Sequence, residues 1–340
     1  MDILSDAVAA TRTGRPRWGL VRHAAPWARE FAPAPGTAAV HVVLSGTCVL
    51  RPAGRGAAEA AATARAGPGD VLVVPHGLGY ALGDVPRAGG QDAAGERPRA
   101  HVPAPATPYA DEPGPAPGGE VTALLSGGYR YDPRHVHPLL AELPPVLHLP
   151  AAPARHPEVA AAVRLLAGEL ERPRLGTDVL VPPLLDALLP YVLRAWYADR
   201  ARRAEQAAGP GGAVDRTGGW AAALADPPVA AALRAMHRSP AAPWTVERLA
   251  REAGLSRAAF ARRFAALTGR PPLAYLTWWR MTLAARLLAD SALPLAAVAS
   301  RVGYTSEFAF AHAFKRWRGQ APGRYRRAQA ELPPPRTAAD

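Results

Sequence analysis

WTVERLAREAGLSRAAFARRFAALTG (Trp244–Gly269) and LPLAAVASRVGYTSEFAFAHAFKRWRG (Leu293–Gly319) are two copies of one pattern in the last third of the chain. Each predicts a short amphipathic helix, a tight turn at a glycine, and a second amphipathic helix. Two such units, joined by one helix-sized segment, would present two recognition helices to successive turns of the DNA major groove. Those turns lie about 34–36 Å apart along the duplex.

In the first unit Thr245 is the expected N-cap of a helix over Val246–Ala253, with Val246, Leu249, Ala250 and Ala253 facing inward. Gly254 supplies the left-handed exit, and Ser256 caps the next helix. Phe260, Phe264 and Leu267, spaced by four and three, form that helix's buried face. The opposite face carries Arg257, Ala258, Ala261 and Arg262, with Arg263 on a flank. An arginine there can take guanine O6 and N7 with two parallel bonds, and alanine can touch a thymine methyl. In the second unit Leu295, Val298 and Ala299 face inward, Gly303 is the turn glycine, and Thr305 or Ser306 is the cap. Phe310 and Phe314 repeat Phe260 and Phe264. The exposed face offers Ser306, Glu307, Phe308, Ala311, His312, Lys315 and Arg316. Glu307 can accept from cytosine N4, and it also suits the first helical turn.

Between the units, PPLAYLTWWRMTLAARLLADS (271–291) reads as one long helix. Its Tyr275, Leu276, Trp279, Leu283, Arg286 and Leu287 are expected to brace both units. Charge follows the same segment. Residues 215–327 hold 18 of the 40 Lys+Arg and 6 of the 28 Asp+Glu, so the rest of the chain is balanced and the net +12 resides here. A localised basic region is the footprint of a phosphate-backbone binder.

The chain has 340 residues, 49% of them hydrophobic, enough for more than one core. No uninterrupted apolar run approaches the roughly 18 residues of a membrane span, and the N-terminus lacks a secretory pattern. The expectation is a cytoplasmic protein without a membrane partner. Cys48 is the single cysteine, which excludes an intramolecular disulfide and a multi-cysteine zinc site. Residues 18–84 are strand-rich, notably VHVVLSGTCVLRP (40–52) and GPGDVLVVPHGLGYAL (67–82), and strand character returns at EVTALLSGGYRYD (120–132). Residues 85–120 are dominated by Pro, Gly and Ala and read as a disordered loop. Residues 156–205 have helical spacing, with Pro182–Pro183 expected to start the second helix and Pro190 to kink it. That helix is apolar enough to serve both core packing and dimerisation.

The closing stretch VGYTSEFAFAHAFKRWRGQAPGRYRR resembles the C-terminal signature of the AraC/XylS family of bacterial transcription regulators. Gly303-Tyr304, Phe310, Phe314-Lys315-Arg316, Gly319, Pro322 and Tyr325-Arg326 carry the match, which covers about residues 219–327. Pro294 departs from the polar cap of many members. The N-terminal part is similar to the cupin-type sensor of one AraC-like subgroup, through HVVLSG (41–46), GPGDVLVVPHG (67–77), SGGYRYD (126–132) and HPLLAELPPVLHL (137–149). The resemblance implies an α+β multidomain chain. It has a cupin-like β-barrel sensing domain (1–150), a helical dimerisation region (151–205), a flexible linker (206–218), an all-α DNA-binding domain with two helix-turn-helix units (219–327) and a disordered tail (328–340). It implies a homodimeric regulator, an activator in most members, that binds promoter DNA, contacts RNA polymerase and answers a small-molecule or stress signal.

Trp18, Trp27, His41, His76 and Tyr80 are the candidates for an effector pocket. A metal-binding cupin would need a His-x-His and Glu cluster. The first motif here has only His41 and nearby Glu30, and Tyr80 stands where a histidine would be, so neither metal nor cofactor is expected. His135-x-His137 would place two imidazoles on one side of an extended strand, an arrangement with ligand character. Three rival readings remain open. One is a cupin-type small-molecule enzyme, for which no nucleophile–base pair is readable. Another is an alkyl-transfer repair regulator, which needs several cysteines. The last is a redox sensor acting through Cys48.

Overall fold

The computed structural model describes residues 3–53, 63–84, 121–132, 136–208 and 219–330. The expected loop at 85–120, most of the linker and nearly all of the tail lie outside the described residues. The chain forms two compact units. One holds Arg12–Val136 and Leu143–Ala198, and the other Met1–Thr11, His137–Glu142 and Asp199–Arg336.

The first unit is an antiparallel two-sheet structure. Its strands are β1 (Arg12–Ala24), β2 (Ala28–Phe31), β3 (Thr37–Ser45), β4 (Cys48–Pro52), β5 (Ala64–Ala66), β6 (Val71–Val74), β7 (Tyr80–Gly83), β8 (Val121–Tyr131) and β9 (Leu147–Leu149). Five strands run in the order β1-β8-β3-β6-β9 and four in the order β2-β7-β4-β5. The hydrophobic stretch Val71–Val74 is wholly buried: β6 lies between β3 and β9, and its Leu72 and Val74 pack in the core with Cys48, Leu50 and Leu82 of the second sheet. The apolar interior includes Trp27, Val43, Cys48, Leu50, Leu72, Tyr80, Leu82 and Leu124. Asp70, at the end of the Gly-Pro-Gly-Asp turn, accepts from the Gly67 and Ala151 amides and pairs with His148.

Two helices complete this unit, α3 (Pro157–Glu171) and the first part of α4 (Thr177–Ala208), up to Ala198. The sequence places the start of α4 at Pro182–Pro183, but the helix begins at Thr177, five residues earlier. The reason is the turn before it. Glu169 accepts from the Thr177 hydroxyl (2.7 Å) and from Arg174, and the Thr177 oxygen accepts the Arg174 amide. The helix then continues through all three prolines because burial of Val181, Leu185, Leu188, Val192 and Leu193 outweighs the missing amide bonds. Tyr129 ties it to β8 by donating to the Leu185 carbonyl. By length and composition alone Thr177–Arg203 is also long and apolar enough to cross a membrane, although no uninterrupted apolar run suggests it.

The second unit is helical. It contains α5 (Trp220–Ala225), α6 (Pro227–Arg238), α7 (Val246–Glu252), α8 (Arg257–Thr268), α9 (Pro272–Asp290), α10 (Leu295–Arg301), α11 (Glu307–Arg318) and α12 (Pro322–Ala330). It also contains two short elements from far earlier in the chain, α1 (Ile3–Thr11) and α2 (Pro138–Ala141). The sequence reading assigns both segments to the sensor, and it does not anticipate a helix at residues 3–11.

Candidate nucleic-acid interface

Each reading helix is held by a short chain of local causes. Thr245 accepts the Arg248 amide and starts α7, and Gly254 adopts φ +65° to turn the chain. Ser256 accepts the Ala259 amide at 3.3 Å and starts α8. Phe260, Phe264 and Leu267 bury one side of α8, which stops at left-handed Gly269. In the second unit α10 starts at Pro294 without a side-chain cap bond. Of the two candidates, Ser306 is the cap of α11, accepting the Ala309 amide at 3.3 Å. Phe310, Ala313 and Phe314 are buried and Gly319 ends the helix.

These buried stripes leave the predicted reading residues outside. On α8, Arg257, Ala258 and Arg262 are exposed and Ala261 is half-buried. Arg257 lies 2.6 Å from Glu247 in a solvent-exposed pair, which is weak enough to exchange for another anion. On α11, Glu307, Phe308, His312, Lys315 and Arg316 are exposed and Ala311 is half-buried. Phe308 keeps 82% of its surface in water.

Arg263 differs from its neighbours. Its guanidinium is directed at Asp226, with Nε 2.8 Å from Oδ2 and Nη2 on the same oxygen. Asp226 is buried, and its other oxygen accepts the Val229 amide as the N-cap of α6. Arg263 therefore fastens α8 to α6. Nothing in its local sequence signals this, because the partner is 37 residues away.

The connector α9 buries Tyr275, Leu276, Trp278, Trp279, Met281, Ala284 and Leu288. The expected bracing holds for Tyr275, Leu276 and Trp279. Leu283 and Leu287 are half-buried against the core of the second helix-turn-helix unit, whereas Arg286 faces solvent beside Asp290. Arg280 donates to the carbonyls of Pro240 and Ala242, both at 2.8 Å, which pins the loop before α7 to the connector. A Cβ on Gly303, the turn glycine of the second unit, would stand 2.8 Å from Arg280 and 2.9 Å from Ala241. The two helix-turn-helix units thus meet through one arginine, one loop and one glycine.

In the sensor unit, three of the pocket candidates converge. His41 is buried, with Nε2 2.8 Å from the Tyr80 hydroxyl and Nδ1 2.9 Å from Ser126. Burial lowers its pKa to about 4, so the ring is neutral at physiological pH. Phe31 stacks on Tyr80 at 4.5 Å, and Trp27 lies in the same core. His76 lies apart, half-buried, bonded to the Leu143 carbonyl at 2.7 Å. Trp18 packs edge-on against Tyr129. Among the described residues no group of three or more His, Cys, Asp and Glu side chains is placed to hold a metal. Of the His135–His137 pair, His135 lies outside the described residues, and His137 caps α2. Cys48 is buried, and burial together with the Asp70 charge pushes its thiol up to about 12.

A two-sheet unit and a pair of helix-turn-helix units define the class, and the comparisons agree. The chain matches the family described as Cupin over residues 2–198 and the helix-turn-helix domain over residues 249–328. It is 40% identical over 209 residues to a Streptomyces antibioticus protein described as an AraC-like transcription regulator, covering 62% of this chain and 65% of that one. It is 31% identical over 219 residues to RclR of Escherichia coli K12, an RCS-specific transcriptional activator, covering 63% of this chain and 71% of that one. A solved structure of the DNA-binding domain of AdpA with a target DNA is 38% identical, covering 32% of this chain and 97% of that chain with a TM-score of 0.31. The chain belongs to the AraC family of transcription regulators, with a cupin domain in its N-terminal part. It spans about two thirds of the length of its Streptomyces relatives, 65% and 64%.

Proposed function

We propose that the protein is a cytoplasmic, one-component transcription regulator that binds specific promoter DNA through α8 and α11. The observation that carries this reading is the division of labour on those two helices. Their phenylalanine stripes are fully buried, while Arg257, Arg262, Glu307, Phe308, His312 and Lys315 stand in water on the reading faces. Residues of this kind distinguish base edges in the major groove, and the surrounding basic charge grips phosphate. Effector binding in the β-sheet interior near His41, Tyr80 and Trp27 shifts the population of DNA-competent states. The chain acts without catalysis. It works as an activator that contacts RNA polymerase, in keeping with the activator named among its relatives.

The chain functions as a homodimer. Leu165, Leu175, Val179 and Leu180 are exposed on α3, on α4 and in the turn between them, an apolar surface suited to a second copy. Val179→Asp is expected to convert the dimer to monomer, read by analytical ultracentrifugation. Retention of the dimer would move the interface elsewhere.

Genome-wide DNA capture with the full-length protein at several salt concentrations tests the central reading. A compact motif with half-sites about one helical turn apart and a steep salt slope is expected. Binding without sequence preference would refute it. The Cys48 redox alternative predicts that Cys48→Ser abolishes an oxidant response, whereas a buried thiol held protonated predicts no change.

A further inference from the structure

The face of the helical unit formed by α6 and α9 does not pack on helices of the DNA-binding region alone. It receives α1 directly, and α2, packed on α1 and α5, brings its cap residue His137 against Tyr275 and Trp278 of α9. Ile3, Asp6, Ala7 and Val8 of α1 are buried there. His137 has no exposed surface and is ringed by Trp220, Tyr275 and Trp278. At the other end of α2, Glu142 accepts the backbone N–H of Trp220 at 2.7 Å, at the start of α5.

A single polar chain runs through this contact. His137 Nδ1 accepts the Leu139 amide at 3.1 Å, so that nitrogen carries no proton. Burial, with the nearby Arg270 charge, holds the ring neutral, which puts its proton on Nε2, 3.3 Å from the Tyr275 oxygen. The Tyr275 hydroxyl proton is then directed to His237 Nε2 at 2.7 Å, and His237 Nδ1–H donates to Asp6 at 2.9 Å. The imidazole of His237 also stacks on Trp279 at 4.2 Å. Four buried groups from four segments share one consistent direction of donation. Each satisfies the next, and none has water to replace a lost partner.

The placement of the two guest segments gives this chain of bonds a function. Thr11 is followed directly by β1, and β8 ends six residues before His137 closes the other side. Arg12 and Tyr131, the first residue of β1 and the last of β8, are paired across the sheet. One edge ladder of the sensor therefore feeds both segments.

We infer that the α6–α9 face is an intramolecular docking surface for the chain's own segments 3–11 and 137–142. The Asp6–His237–Tyr275–His137 relay is its latch, and through it the state of the β1–β8 ladder reaches the DNA-reading helices. The closed latch fixes α6 against α9, and Arg263 fixes α8 against α6, so closure preorganises the first reader. This inference rests on the DNA-binding reading above.

The test uses the full-length chain with its captured operator. Tyr275→Phe keeps the ring and removes the hydroxyl at the centre of the relay; Asp6→Ala removes its end. Both variants are expected to retain wild-type helicity by circular dichroism. In hydrogen exchange, both should accelerate the amides of residues 3–9 at least tenfold. Both should weaken operator binding about tenfold, and reciprocally operator DNA should slow exchange of those amides in the wild type. Unchanged exchange in the two variants would overturn the docking role. Accelerated exchange with unchanged operator affinity, or operator-accelerated exchange in the wild type, would overturn the coupling. Should wild-type protein show no preferred operator, the regulator reading fails, while the exchange arm without DNA still decides whether the relay holds the segments.

Discussion

The two helix-turn-helix units share a backbone plan and differ in what each glycine and each face is for. Gly254, in the first unit, is surrounded by open space, and only its φ of +65° asks for glycine. Gly303, in the second, has the same hand and is also pressed against Arg280 and Ala241. The first reader presents two exposed arginines, Arg262 and the Glu247-paired Arg257, and is anchored from behind by Arg263 and Asp226. The second presents a carboxylate, an aromatic ring, an imidazole and a lysine. Duplicated units thus keep the buried pattern, while the turn and the reading face diverge according to their neighbours.

The sharpest test of that contrast is the glycine pair. Gly303→Ala should destabilise the chain by roughly 3 kcal/mol, from backbone strain plus overpacking against Arg280 and the Ala241 backbone. Gly254→Ala should cost about 1 kcal/mol, from backbone strain alone. Urea unfolding of the full chain measures both, and equal losses would remove the distinction. Next in size is Asp226→Ala. It removes the α6 cap and the partner of Arg263, for an expected loss of about 2 kcal/mol after allowing for the partial exposure of Arg263. If Arg263 were chiefly a DNA contact, Asp226→Ala would cost only the α6 cap, about 1 kcal/mol, and Arg263→Ala would leave stability nearly unchanged.

Arg262→Ala should leave the unfolding curve in place and weaken operator binding by about 1–3 kcal/mol, with relaxed preference at one base pair. An equal loss on operator and random duplex would reassign Arg262 to phosphate. The smallest effect belongs to the second reader. Phe308→Ala should lower operator affinity by about 1 kcal/mol through lost apolar burial. Replacing single thymines of the site by uracil should reproduce that loss at one position in the wild type and add nothing in the variant. Additive losses would show that the ring does not meet that methyl.

Much of this plan is local and therefore legible in the sequence. Thr245 and Ser256 announce helix starts, Gly254 and Gly303 announce turns, and the four-residue spacing of Phe260–Phe264 and Phe310–Phe314 separates buried from reading faces. What escapes is contact between residues distant in the chain. Arg263 has the same local setting as Arg262, and only the fold brings Asp226 to it. Asp6 and His137 lie in segments that read as sensor, yet their partners are His237 and Tyr275 in the helical unit. The start of α4 escaped for a related reason: the Glu169–Thr177 bond sets it before the prolines do.

The solitary cysteine has a practical consequence. Cys48 is sealed in the sensor sheet with its thiol held protonated, so it will ignore thiol reagents under native conditions. Any cysteine placed on the surface becomes the sole address for a probe, without a prior Cys-free background. Spectroscopic labels at Ala266 and Ser300, exposed positions of the two helix-turn-helix units outside the reading faces, would turn the chain into a ruler for how far an operator must curve to meet both readers.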